Sequence, residues 1–130
     1  MTVHRPSRPA GRDAGQATVE LVLVLPVVVL AMLLVLQVGL IARDQVLVVN
    51  AAREGARAAA VSGPSAAGPA ARASPGLRPE RVSVAVDLPS GDLVRVRVRY
   101  RAPTDVALIG VLLADPVLTA EVAMRREEPP

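Results

Sequence analysis

Residues 21–42 form an apolar run whose one polar residue is Gln37. As a helix, its roughly 22 residues reach about 33 Å, enough to cross a hydrocarbon layer of about 30 Å. A helix inside a soluble domain is seldom apolar on every side over such a length. A cleaved secretory signal has a shorter apolar region with an A-x-A-like site behind it, and Leu40-Ile41-Ala42 fits that site poorly. The run therefore predicts one retained membrane-spanning helix. Pro26 falls in its first turns, where a missing backbone N–H is tolerated in a membrane helix.

Outside this run, material for a core is scarce. Hydrophobic residues make up 52% of the 130, yet Phe and Trp are absent and Tyr100 is the sole aromatic. A soluble domain must be built from Val, Leu and Ala, so its core will be thin. Every basic residue is Arg and the formal charge is +3. Neither a groove-filling helix nor stacking aromatics accompany that charge, so nucleic acid is not an expected partner. Cysteine is absent, which removes disulfides and thiolate metal sites. The single histidine, His4, precedes the folded part and leaves no Ser–His or His–metal arrangement there. Glu80, Asp87, Asp92, Asp105, Asp115 and Glu121 are scattered without a converging pair, and no glycine-rich phosphate loop occurs. An enzyme is not expected, nor a cofactor or metal.

The chain divides by pattern. Residues 1–15 are a polar leader with Arg5, Arg8 and Arg12. A long helix follows over 16–61, its span at about 21–42. Past the span, Arg43, Asn50, Glu54 and Arg57 share one stripe. Val48, Ala52, Gly55, Ala56 and Ala59 lie opposite. These small residues permit close packing, either by another helix or by the chain's own domain. Residues 62–79, with four prolines and three glycines, read as a low-complexity linker that ends the helix and forbids a strand.

From residue 80 to 130 the period changes to two. Val82, Val84, Val86 and Leu88 alternate with polar or small residues. After the turn signal Pro89-Ser90-Gly91-Asp92, Val94, Val96, Val98 and Tyr100 alternate with Arg95, Arg97, Arg99 and Arg101. This predicts a β-hairpin. Thr104 or Asp105 can cap a short helix over 106–113, and residues 117–125 alternate again as a third strand. The predicted fold class is α+β: a long membrane helix extending past the bilayer, then a small three-stranded antiparallel sheet with a short helix.

Gly15-Gln16-Ala17-Thr18-Val19-Glu20 stands immediately before the apolar run. A carboxylate at the edge of a membrane helix is costly without a partner. Cleavage after Gly15 would create a cationic amine at Gln16, one helical turn from Glu20 and able to pair with it. An interfacial Glu on the first helical turn, favoured by the helix dipole, explains the same residue without cleavage.

Gly15 followed by Glu20 resembles the processing site of type IV pilin-like proteins. The string from Gly15 through Ala17-Thr18-Val19-Glu20-Leu21-Val22-Leu23-Val24-Leu25 to Pro26 resembles the TadE-like family of the tight-adherence pilus machinery. Ala51-Ala52-Arg53-Glu54-Gly55-Ala56-Arg57-Ala58 resembles that family's stretch after the span. An aromatic often follows the Glu in such proteins, whereas here it is Leu21. The resemblance implies cutting between Gly15 and Gln16 by a prepilin peptidase, with Glu20 guiding register between helices. It also implies a C-terminal domain outside the cytoplasmic membrane. Expected partners are the membrane, other pilin-like subunits and pilus assembly proteins, in a hetero-oligomer. The residues beyond the helix favour an assembly role, that of a minor pseudopilin, over a bulk subunit.

Charge alone does not orient the span, because three Arg precede it and Arg43, Arg53 and Arg57 follow. A short polar leader is easier to leave in the cytoplasm than to thread across, which favours a cytoplasmic N-terminus. The row Arg95, Arg97, Arg99 and Arg101 admits two readings. It is the solvated face of a half-buried strand, helped by Asp87, or a contact for anionic lipid or another polyanion. Two functional alternatives thus stand beside the pilus reading: a single-pass envelope adaptor, and a membrane-bound polyanion-binding module.

Overall fold

A computed structural model describes residues 11–106, 108, 110 and 114–126, with side chains from residue 15 onward. Helix α1 spans Gly11–Ser62, 52 residues with Pro26 inside and no break. It begins before Gly15, so the peptide after Gly15 lies within helical backbone. Gly63 ends it: it takes a positive φ of 94° with an extended ψ of 165°, and its N–H donates to the Ala59 carbonyl at 3.1 Å. A residue with a Cβ is disfavoured there.

Residues 62–79 hold more structure than their composition suggests. A 3-10 turn at Pro64–Ala66 leads into helix α2, Ala67–Arg72, and a second 3-10 turn covers Pro79–Arg81. Pro64 and Pro79 stand at the first positions of those turns, where a missing N–H costs nothing. Ala67 and Ala71 of α2 are fully buried, and α2 packs on α1. Composition predicted a plain linker because Pro and Gly forbid strands. They do not forbid a short helix whose methyl groups dock on a neighbour.

Strands β1 (Val82–Ser90), β2 (Leu93–Arg101) and β3 (Val117–Arg125) form an antiparallel sheet in the order β1-β2-β3. The alternation sorts the faces as expected: Val94, Val96 and Val98 are fully buried and Tyr100 nearly so, while the arginines between them face outward. Ala120 is buried and Leu118, Val122 and Met124 pack partly against the core. Leu88 departs from its expected inward position and is 52% exposed. The β1–β2 register shifts between Asp87 and Ser90, which breaks the alternation at Leu88. The strand then continues to Ser90, leaving a turn of only Gly91 and Asp92. The helix expected over 106–113 falls mostly outside the described residues, as do residues 1–10 of the leader and the tail from residue 127.

The sheet sits on the carboxyl-terminal part of α1. Val48, Ala51, Ala52, Ala56 and Ala59 are wholly buried there, and α1 contacts β2, β3 and α2. The small stripe serves the chain's own domain, which is one of the two uses its composition allowed. Gly55 marks a close approach of α2 and β2 to α1. A Cβ on it would stand 3.2 Å from the Ala67 carbonyl oxygen, 3.3 Å from the Ala71 Cβ and 3.3 Å from the Val96 Cγ1. At such distances a Cβ would fit only if its neighbours shifted by a few tenths of an ångström, and a larger side chain would need more. A Gly55→Val variant should therefore lose about 1–3 kcal/mol of domain stability by overpacking, read as a lower thermal midpoint in detergent. An unchanged midpoint would mean that α1 does not carry the sheet this closely.

Candidate functional site

The amino-terminal half of α1 carries no domain. From Val19 to Leu36 its large apolar side chains are bare except the half-buried Leu33, those of Leu30 and Val35 being 39% and 73% exposed. The most apolar stretch of α1 has a mean hydropathy of 3.0 and is 0% buried within the protein. A soluble core helix of that hydropathy would be covered. In water this surface would be a large contiguous apolar patch, and hydrocarbon is the medium that satisfies it.

Gln37 ends the bare stretch. It is 2% exposed, and neither amide atom has a hydrogen-bond partner. Its side chain is thus sheltered by protein at the place where the folded part begins to cover α1, which is where polar groups in membrane helices normally point. Leu40, Arg43 and Asp44 then line a small concavity together with Tyr100, Pro103 and Asp105. The Gln45 Nε2 donates to the Thr119 carbonyl at 3.3 Å. Folded domain and apolar helix meet over residues 37–45.

At the other end of the apolar stretch, Gly15 and Gln16 are exposed in the first turns of α1, with nothing near Gly15. Glu20 is exposed one turn past Gln16, and Pro26 lies a turn and a half further on. Gly15, Gln16 and Glu20 thus share one solvent-accessible helical segment, far along α1 from the sheet. Ala52, Gly55, Ala56 and Ala59 are instead enclosed between α1, α2 and β2.

Residues 15–57 match the family model described as TadE-like protein. The TadE-like segment takes in the bare apolar stretch and most of the small-residue stripe, and ends before the sheet. Among the described residues one helix, the α1 that carries this match, is long and apolar enough to cross a membrane. Neither the curated proteins nor the solved structures contain a match to the chain.

The arginine row of β2 divides into two halves. Glu121 of β3, opposite Arg97 in the register, holds both neighbours on one side: its Oε1 lies 3.2 Å from the Arg95 Nε, and its Oε2 lies 2.7 Å from the Arg97 Nη2. The Arg97 Nε also donates to Oε2 at 2.8 Å, and this bond raises the guanidinium pKa further. All three side chains are more than a third exposed, so solvent screens these pairs and they contribute little to stability. Glu121 makes the close ion pairs with these arginines, and the expected Asp87, opposite Arg95 in the register, adds a weaker attraction on Arg97. Finding Glu121 from sequence requires the β2–β3 register, which strand patterning alone does not supply. Arg99 and Arg101 face Ser83, Thr119 and Val117 across the sheet, none of them charged.

Beside them, Arg81 is anchored. Its Nη1 donates to the Asp115 Oδ2 at 2.9 Å and to the Arg101 carbonyl at 3.3 Å. The Asp115 Oδ1 accepts from the Thr104 backbone N–H at 3.0 Å, which pins the two ends of the β2–β3 connection together. The bond from Thr104, then the one from Arg81, hold the Asp115 carboxyl below its ordinary range. Among the described residues no group of acidic or histidine side chains forms a metal site.

A depressed carboxyl pKa contributes stability that is present above the unfolded value and lost as pH falls through the folded one. In thermal melts of the detergent-solubilised chain, the advantage of the native sequence over Asp115→Asn should therefore be constant above about pH 5 and close below about pH 4. An advantage that persists undiminished to pH 3 would show that Asp115 does not act as a carboxylate there.

Proposed function

We propose that the chain is a minor, pilin-like assembly protein of a tight-adherence pilus machine. It is held in the cytoplasmic membrane by one span, with its N-terminus in the cytoplasm and its sheet domain outside. The supporting observation is the division of α1. Its small-residue stripe is enclosed by the chain's own sheet, whereas the apolar stretch from Val19 to Leu36 is left largely without protein cover. Contacts with other pilin-like subunits therefore run through the bare half of the helix, lipid occupying what subunits do not. A sheet domain welded to one end makes a capping or recruiting component, one copy of which closes or starts a helix stack in a hetero-oligomer.

Gly15 and Gln16 are the positions at which a prepilin peptidase would cut. Glu20 then offers a carboxylate one turn from the freed amine, on its own chain or a neighbour's. That pairing would set the axial register of neighbouring helices. Pro26, lacking an N–H, leaves the Val22 carbonyl without its backbone bond and gives the stack a local site of bending.

Mass spectrometry of the chain purified from its native membrane should find an N-terminus at Gln16. Glu20→Ala should leave membrane insertion intact while reducing recovery of the chain with pilus subunits by about tenfold. An intact leader, together with unaffected recovery of the Glu20→Ala variant, would sink the pilus reading and leave a single-pass envelope adaptor.

A further inference from the structure

We propose that the carboxyl end of β2 is a lipid-headgroup contact, in which Arg99 and Arg101 bind the phosphates of anionic phospholipids beside the point where α1 leaves the bilayer. Three observations carry this. The first is position. Thr119, opposite Arg99 in the register, is bonded through its carbonyl to Gln45. Gln45 is three residues, or about 4.5 Å of helical rise, beyond Ala42. Tyr100, between the two arginines, shares a concavity with Leu40 and Arg43 of α1. This end of β2 therefore stands at the level where the apolar run stops, while Val96, at the other end of the arginine row, packs against Gly55 higher on the helix.

The second observation is charge. Arg95 and Arg97 are held by Glu121, and Arg81 by Asp115. Arg99 and Arg101 have no acid within ion-pair distance among the described residues and are both exposed. The half of the row near the membrane is the half left unneutralised.

The third is shape. Arg99 and Arg101 line an open concavity of about 600 Å³ with Arg81, Ser83, Glu80 and Asp115. Guanidinium forks match phosphate oxygens, and long Arg stems let the charged ends reach a headgroup layer. Among the described residues Glu80 is the acid at this concavity without an arginine partner, and it opposes anion binding there. An acidic protein segment would find the same charges, but the bilayer is the anion source that α1 holds permanently alongside them. The proposal rests on α1 crossing a bilayer, and not on cleavage at Gly15 or on any pilus.

The test uses the full chain in nanodiscs of phosphatidylcholine with and without phosphatidylglycerol, counting retained lipids by native mass spectrometry. The native chain should retain phosphatidylglycerol preferentially. R99Q/R101Q should weaken that retention by about tenfold or more, and added salt should do the same. R95Q/R97Q, which removes arginines already held by Glu121, should change it by less than about twofold. Glu80→Gln, which removes the opposing charge, should raise it. Both arginine positions are exposed, and circular dichroism of each variant verifies the fold. Equal losses in the two double variants, or none in R99Q/R101Q, would overturn the assignment. Binding of a poly-glutamate peptide in phosphatidylcholine discs that requires Arg99 and Arg101, with lipid retention unaltered by R99Q/R101Q, would also overturn it in favour of an acidic protein.

Discussion

Val96 packs so close to α1 at Gly55 that a Cβ there would stand 3.3 Å from its Cγ1, and the arrangement of the whole chain follows from that approach. A sheet without Phe or Trp has little apolar area to bury. It compensates by proximity: Val94, Val96 and Val98 share one buried layer with the methyl-sized Ala52, Ala56 and Ala59 of α1. Dispersion falls steeply with distance, so close approach of small groups replaces the area that rings would bury. Alpha-helix α2 adds Ala67 and Ala71 to the same layer. The cost is intolerance, because no larger side chain fits the seam.

Because the seam involves only the carboxyl-terminal part of α1, the domain and the bare helix form one continuous rod with a sheet fixed to one end. Helical hydrogen bonding runs through the junction, and Gln37, Gln45 and Tyr100 mark how far down the domain reaches. The ends of the β2–β3 connection are pinned by Asp115 to Arg81 and to Thr104. Any force or register imposed on the apolar helix is thereby transmitted to the sheet. In the proposed assembly role, that rigidity would link what the helix docks against to what the domain displays.

Much of this was legible in the residues. The apolar run, the switch to a period of two at Val82, and the alternation of Val with Arg in β2 each report burial directly, so span, hairpin and third strand were readable. The small-residue stripe was visible too, but a stripe says that something comes close and not what it is. Two features were hidden. Helix α2 lies in a Pro- and Gly-rich segment whose composition is that of a tether, and the burial of Ala67 and Ala71 against α1 is not visible in that composition. Glu121 looks like any exposed strand residue until the register places it opposite Arg97, where it divides an apparently uniform arginine row into a neutral half and a cationic half. Pairing partners between strands are set in three dimensions, and local pattern carries no record of them.

The central claim is that one continuous helix is bare in its first half and covered by its own domain in its second. The chain lacks cysteine, so single cysteines can be introduced without background. Labelling by a water-soluble maleimide in intact proteoliposomes, at positions from 19 to 60, tests the claim most directly. Positions 24–36 should stay unlabelled until detergent is added. Arg53 and Arg57 positions should label at once, and Ala52, Ala56 and Ala59 positions should label only on unfolding. Rapid labelling at Ala52, Ala56 and Ala59 in the folded protein, or at positions 24–36 in the intact membrane, would contradict the account.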